Sequence, residues 1–172
     1  MLEKNILLTG KPGTGKTTAI RIVVDQLNPV STAGFWSREI RVGGQRIGFA
    51  IETLSGKIGT LAHVNLEHGP KVSKYRVNIN DIDSIIVPEL EMARTSGRFI
   101  IIDEIAKMEL FSENFEVEVR KCLETKRVIG TIQQRTHPFL NEIRSRSDVQ
   151  LIELTTENRN LVPTQVLRIL KV

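Results

Sequence analysis

A lysine and a threonine at the end of a glycine-rich segment are the residues of this sequence best placed to do chemistry. Residues 10–17 match the pattern G-x-x-x-x-G-K-[ST] of a phosphate-binding loop. Glycines let successive backbone N–H groups turn inward and bind phosphate oxygens. The spacing predicts that Lys16 reaches the β and γ phosphates of a nucleotide and that the Thr17 hydroxyl ligates Mg²⁺. The predicted nucleotide-binding residues here are Gly10, Lys11, Pro12, Gly13, Thr14, Gly15, Lys16, Thr17 and Thr18.

Two carboxylates form a second motif. Asp103 and Glu104 directly follow the apolar run Phe-Ile-Ile-Ile at 99–102. In a parallel sheet the carboxyl ends of the strands line the ligand crevice, which would bring both side chains near the phosphate loop. Asp103 is predicted to hold Mg²⁺ through its water shell, and Glu104 to polarise an attacking water. Such a pair favours hydrolysis, because a kinase must shield the γ-phosphate from water and position an acceptor.

Three further positions have both a functional and a structural interpretation. Arg135 follows the predicted strand 128–131 and either senses the γ-phosphate or is a solvated loop arginine. Asn158 and Arg159 follow the last predicted strand and either contact the nucleotide base or belong to a polar loop. His137 precedes a proline and is expected to cap the helix that follows.

Strands and helices alternate along most of the chain. Apolar periodicity predicts an α/β fold, a mostly parallel sheet with helices on both faces. Residues 32–78 differ, because β-branched residues and paired turn signals indicate antiparallel hairpins inserted into that sheet. Strands are expected at 4–9, 99–102, 128–131 and 149–154, and helices at 16–27, 81–95, 112–125, 138–146 and 162–170.

Composition limits the remaining possibilities. The 172 residues suit one domain over 1–172, and 40% hydrophobic content is enough for a core. The single cysteine, Cys122, excludes an internal disulfide and favours a cytoplasmic protein with a buried, inert thiol. No apolar run is long enough to span a membrane. Nucleic-acid binding is not expected, because aromatic residues are 5% of the chain and the basic residues are scattered.

The sequence resembles the small P-loop nucleoside-triphosphatase family that includes the cancer-related nucleoside triphosphatase and many thermophile members. The string Asp-Glu-Ile-Ala-Lys-Met-Glu-Leu at 103–110 is the most specific part, and further segments match over about residues 1–160. The resemblance implies a RecA-like core, dependence on Mg²⁺ and slow hydrolysis of several nucleoside triphosphates, ATP and GTP among them. It assigns Lys16 and Thr17 to phosphate and metal, Asp103 to the metal side, and Glu104 to the role of base. One departure is Ala106, where the family usually has glycine.

Two alternatives to hydrolysis stay open at this point. One is a small-molecule kinase of the same fold that phosphorylates a nucleoside-type acceptor. The other is a slow nucleotide-dependent switch that binds RNA or a protein partner. The segment 133–138 contains a single arginine, whereas kinase lids usually carry several.

Overall fold

The structure is a computed structural model and describes residues 4–171. Within that range nine strands form one sheet. The strands are β1 Asn5–Thr9, β2 Thr32–Val42, β3 Gln45–Thr53, β4 Ile58–His63, β5 Lys71–Val72, β6 Tyr75–Val77, β7 Phe99–Ile105, β8 Val128–Ile132 and β9 Val149–Glu153. The helices are α1 Lys16–Gln26, α2 Ile79–Asp81, α3 Val87–Thr95, α4 Glu113–Glu124, α5 Pro138–Ser145 and α6 Val162–Leu170.

Strand order places the phosphate loop and the carboxylate pair on nearby strands. The order across the sheet is β5-β6-β4-β3-β2-β7-β8-β1-β9. Pairing is parallel from β2 through β7, β8 and β1 to β9. One strand, β8, therefore separates β1, which leads into the phosphate loop, from β7, which carries the carboxylates. The predicted α/β fold is confirmed, with a parallel part formed by β2, β7, β8, β1 and β9 in a sheet that is mixed as a whole.

Helices cover both faces of this sheet and bury a separate core on each side. Helices α1 and α6 pack on one face around Ile6, Leu8 and Ile101. Helices α3, α4 and α5 pack on the other around Leu7 and Ile102. Neighbouring strand residues point to opposite faces, so the apolar runs at 6–8 and 100–102 are buried on both sides. Among residues 4–171 no helix is both long and apolar enough to cross a membrane.

The antiparallel hairpins extend the same sheet. Strands β2, β3, β4, β6 and β5 pair antiparallel in that spatial order. The first half of β2, Thr32–Trp36, pairs parallel with β7, so β2 belongs to both parts of the sheet. Its second half continues past the edge where the parallel strands end and turns at Gly43 and Gly44, whose φ angles of 56° and 79° suit glycine.

Two elements differ from the predicted bounds. Strand β7 continues to Ile105, and its register against β8 shifts between Ile102 and Ile105. The helix expected at 81–95 starts at Ile79 and contains a π-helical turn over Ile82–Ile86. Pro88 lies in the first turn of α3, where its missing N–H breaks no hydrogen bond of a regular helix. Regular α-helix resumes at Val87, directly before that proline.

The thiol of Cys122 is predicted to be unreactive in the folded protein. Its side chain is fully buried on α4, and burial raises the thiol pKa to about 12. Since the thiolate is the nucleophile, a disulfide reagent at pH near 8 should label Cys122 only as fast as the protein opens. Absorbance of the released thiol measures this in native and denaturant-unfolded samples, with Cys122→Ala as the blank. Rapid stoichiometric labelling of native protein would show that the thiol is accessible.

Candidate functional site

The glycine-rich segment turns sharply between β1 and α1. Gly13 and Gly15 have φ angles of 78° and 100°, in the left-handed region where a side chain is strained. Gly15 caps α1, and no side chain caps that helix end. The first N–H groups of α1 are therefore directed at the loop, which is the arrangement that binds anions at a helix N-terminus.

Lys16 folds back over the loop that it follows. Its Nζ donates to the carbonyl oxygen of Gly10 at 3.0 Å and to that of Lys11 at 3.2 Å. Burial raises the pKa values of Asp103 and Glu104, and the charge of Lys16 opposes this rise, which puts the ammonium group within electrostatic range of both carboxylates. The structure thus brings together Lys16, Asp103 and Glu104, which the sequence had separated by nearly ninety residues.

Asp103 is buried at the end of β7 and has one unused oxygen. Its Oδ1 accepts a hydrogen bond of 2.6 Å from the Thr131 hydroxyl on β8. Burial raises the pKa of Asp103, while the hydroxyl groups of Thr131 and Thr17 and the charges of Arg21 and Lys16 lower it. Its Oδ2 is buried and has no hydrogen-bond partner among the described residues.

The unused oxygen of Asp103 fits a divalent metal. An unpartnered buried carboxylate oxygen is costly unless a cation or a donor reaches it, and the Thr17 hydroxyl lies nearby. No group of three His, Cys, Asp or Glu side chains that could hold a metal occurs in residues 4–171. The Asp103 oxygen suits a divalent cation that binds through one or two protein oxygens and completes its shell with phosphate and water.

Glu104, which is half-buried, and Glu109, which is buried, form a second pair of acids. Burial, together with the charge of Asp103, raises the pKa of Glu104 to about 7. Burial, together with the charge of Glu104, raises the pKa of Glu109 to about 8. The Glu109 side chain is 2% exposed, and its Oε2 has no hydrogen-bond partner in the described chain.

The loop after β9 lies beside the phosphate loop. The Cδ atom of Arg159 is 3.9 Å from the position that a Cβ on Gly15 would take. Arg159 is exposed, so its guanidinium can reach a ligand there. Asn158 differs, because its amide is already used within the loop: Oδ1 accepts from the Thr155 N–H at 2.8 Å, and Nδ2 donates to the Glu153 carbonyl at 2.8 Å.

The loop after β8 carries Arg135 at the same edge of the sheet. Arg135 is exposed, and none of the ion pairs formed within residues 4–171 includes it. His137 caps α5 by accepting a hydrogen bond at Nδ1 from the Phe139 N–H at 3.2 Å, as predicted.

Sequence reasoning missed Thr131 and Glu109. Thr131 is a polar residue in a strand that is otherwise apolar and buried, which is a usable signal once the strand order is known. Glu109 lies in the short 3₁₀ turn Glu109–Phe111, where no periodicity predicts burial. The positions of both residues are determined by contacts between β7, β8 and the turn that follows β7.

The chain is similar to known nucleoside-triphosphatases over nearly its whole length. A family model described as NTPase matches residues 5–167. Nucleoside-triphosphatase THEP1 of Thermotoga maritima is 42% identical over 167 residues, which cover 96% of this chain and 95% of the relative. The human cancer-related nucleoside-triphosphatase is 39% identical over 175 residues, with 92% of each chain covered.

Two solved structures are also similar over nearly the whole chain. The crystal structure of THEP1 from Aquifex aeolicus has a TM-score of 0.89 and 37% identity, and the match covers 98% of this chain and 99% of that one. The solution structure of the human cancer-related nucleoside triphosphatase has a TM-score of 0.83 and 36% identity, covering 98% and 97%. The chain therefore belongs to the NTPase family and has its P-loop fold.

Proposed function

We propose that this NTPase hydrolyses the β–γ bond of Mg²⁺-bound nucleoside 5′-triphosphates, with little selectivity for the base. The observation that carries the proposal is the meeting of Lys16 and Thr17 with Asp103, whose buried Oδ2 has no partner among residues 4–171. A phosphate loop, a metal-side carboxylate and a second acid at one sheet edge are the parts that phosphoryl transfer to water requires.

In this proposal the loop binds the phosphates and the carboxylate side holds the metal. Lys16 exchanges its two carbonyl contacts for β- and γ-phosphate oxygens, which bind an ammonium group more strongly than carbonyl groups do. Thr17 and Asp103 would hold Mg²⁺, which would neutralise charge on the phosphate oxygens. The hydrogen bond from Thr131 keeps Asp103 oriented toward that position.

Glu104 acts as the general base. A water attacks the γ-phosphorus, its proton passes to the Glu104 carboxylate, and the bond from phosphorus to the bridging oxygen breaks. A pKa raised to about 7 by burial suits this role, because a base is most effective when its pKa is near the working pH. Arg135 is proposed to stabilise charge on the γ-phosphate from its exposed loop.

Base recognition is proposed to be weak. Arg159 beside Gly15 stacks on the base, while the Asn158 amide is occupied within its own loop. Stacking on a guanidinium plane distinguishes poorly among bases, since every base has a π face. We further propose that residues 1–172 form a single domain in the cytoplasm, supported by the continuous nine-stranded sheet and by the unpaired Cys122.

Product analysis tests the proposed reaction. Incubation with Mg²⁺ and ATP or GTP should release the nucleoside diphosphate (ADP or GDP) and inorganic phosphate in equal amounts, at less than the ~10 s⁻¹ typical of enzymes. The kcat/KM values for the two nucleotides should agree within about tenfold, a difference of ~1.4 kcal/mol. Lys16→Ala is the control for contaminating phosphatases. A nucleoside diphosphate formed only with a nucleoside-type acceptor, together with the phosphorylated acceptor, would identify a kinase. A hundredfold base preference would contradict weak recognition.

Substitution of the two adjacent acids should separate chemistry from binding. Glu104→Gln keeps the size of the side chain but cannot accept the proton, so kcat should fall by about 10²–10⁴-fold. Its nucleotide affinity should hold or rise slightly, because a negative charge near phosphates is removed. Asp103→Asn should instead weaken Mg²⁺ and nucleotide binding together. Steady-state kinetics and nucleotide titration measure both, and a Glu104→Gln variant with wild-type kcat would remove Glu104 as the base.

The buried acid Glu109 should make stability depend on pH. Its pKa is about 8 in the folded protein against 4.5 in the unfolded chain, so between those values the folded state binds more protons. The free energy of unfolding therefore falls as pH rises through that window. Glu109→Gln cannot ionise, so its stability relative to wild type should increase by on the order of a few kcal/mol between pH 5 and 8.

Denaturant unfolding of metal-free protein across this pH range measures the effect. Glu142→Gln is the matched control, because the hydrogen bond from Arg120 lowers the pKa of Glu142. The stability that Glu142 contributes is lost only as pH falls through its lowered pKa, below the ordinary value of 4.5. Glu142→Gln should therefore differ from wild type by a constant free energy of unfolding from pH 5 to 8. The same constant difference for Glu109→Gln would show that Glu109 does not titrate in this window.

A further inference from the structure

The loop that carries Arg135 has a tight and irregular path. It joins the end of β8 to His137, which caps α5. The Arg135 N–H donates to the Gln133 carbonyl at 3.0 Å, so two residues turn the backbone. A turn this short has few hydrogen bonds of its own, so side chains that donate to its carbonyl groups add to its stability.

Arg144 on α5 provides those contacts. Its Nη1 donates to the Arg135 carbonyl at 3.0 Å and to Asn141 Oδ1 at 3.0 Å. Its Nη2 donates to the Gln133 carbonyl. The guanidinium thus bridges the first and third residues of the turn.

Arg144 makes these bonds without a counterion. None of the ion pairs within the described range 4–171 includes it, and burial lowers the pKa of its guanidinium. A surface arginine of ordinary function would remain in water or pair with a carboxylate. Here the charge is half-buried and used entirely on backbone carbonyls and one amide oxygen. The arrangement is specific to the shape of the turn.

The same turn is bonded to the strand that carries Glu104. The Gln133 N–H donates to the Ile105 carbonyl at 3.1 Å, and Gln133 Oε1 accepts from the Lys107 N–H at 3.0 Å. Gln133 therefore fixes one end of the turn to the residues just after Glu104. Arg144 ties the other end, Arg135, to Gln133, because its guanidinium donates to the carbonyl groups of both residues.

We propose that Arg144 is a positioning residue that holds Arg135 in register with Glu104 for the hydrolytic step. The proposal rests on the proposed function, in which Glu104 is the base and Arg135 stabilises the γ-phosphate. Arg144 does not touch the substrate; it sets the backbone from which the Arg135 side chain extends. A planar guanidinium can span two carbonyl groups at once, whereas the point charge of lysine cannot hold both in a fixed geometry.

A double-mutant cycle in the full chain tests the coupling. Arg144→Ala should lower kcat by about 10²-fold with KM within about threefold, because a displacement near 1 Å of a catalytic group costs that much. In an Arg135→Ala background the same substitution should lower kcat by less than about threefold, since the group it positions is gone. Arg144→Lys should keep the fold and lie between wild type and Arg144→Ala.

A structural control and a second readout guard against a general loss of stability. Arg120→Ala removes an arginine that pairs with Glu142 and lies 4.6 Å from the Phe139 ring, both on α5, and it should leave kcat unchanged. Hydrogen exchange of the peptide 133–140 should be faster in Arg144→Ala and in Arg144→Lys, but not in Arg120→Ala. This readout needs no turnover.

The outcomes distinguish failure of this proposal from failure of the proposed function. Absence of nucleotide hydrolysis by wild-type protein would refute the proposed function. The exchange data would then still test whether Arg144 holds the turn at 133–135. With active wild-type protein, equal losses of kcat in both backgrounds would show that Arg144 does not act through Arg135. Unchanged exchange at 133–140 in both Arg144 variants would show that Arg144 does not hold this turn and would overturn the proposal. If Arg144→Ala fails to fold, Arg144→Lys in the same cycle decides the question.

Discussion

A hydrogen bond of 2.6 Å from the Thr131 hydroxyl on β8 to Asp103 on β7 ties the metal-side carboxylate to the strand that lies between it and the strand of the phosphate loop. It exists only because β8 lies directly beside β7 and because their register sets Ile102 against Gly130. A Cβ atom on Gly130 would collide with the Ile102 carbonyl, so the close approach of these strands requires glycine there. Since β8 also pairs with β1, the same strand sets the distance between the carboxylates and the phosphate loop.

Grouping several acids at this edge costs stability. Burial raises the pKa values of Asp103, Glu104 and Glu109, so each would ionise more easily in the unfolded chain. Lys16 opposes this for Asp103 and Glu104 through its charge. Glu109 is also buried, and its Oε2 atom has no hydrogen-bond partner in the described chain. Clusters of buried acids with raised pKa values lower stability and are typical of functional sites, where chemistry is favoured over stability.

Local pattern was sufficient for the elements on either side of the phosphate loop. The glycine spacing and the periodicity of residues 16–27 predicted β1, the loop and α1 close to their observed bounds. The apolar run before Asp103 likewise predicted β7, although not its extension to Ile105 or its shifted register, which depend on pairing with β8. The antiparallel pairing within 32–78 was predicted from turn signals, but the parallel pairing of Thr32–Trp36 with β7 was not.

Contacts between distant segments could not be predicted in this way. Thr131 and Asp103 are separated by 28 residues, and no spacing rule relates a hydroxyl on one strand to a carboxylate on another. Arg144 is separated from the Gln133 carbonyl by 11 residues, and in the sequence it is an ordinary basic residue in the last turn of a helix. Both roles follow from tertiary geometry, which is where propensity and periodicity carry no information.

The two loops at the rim of the site are built on different principles, and this bears on what each can recognise. The loop containing Asn158 uses its own side-chain amide to hold its backbone, so fewer polar groups are left to read a base. The loop containing Arg135 is held from outside by Arg144, which leaves the Arg135 side chain exposed. When the backbone of an arginine is already held in place, binding of its guanidinium to a phosphate costs less conformational entropy than it would from a mobile loop. This difference supports the proposal that the site recognises phosphate more strongly than the base.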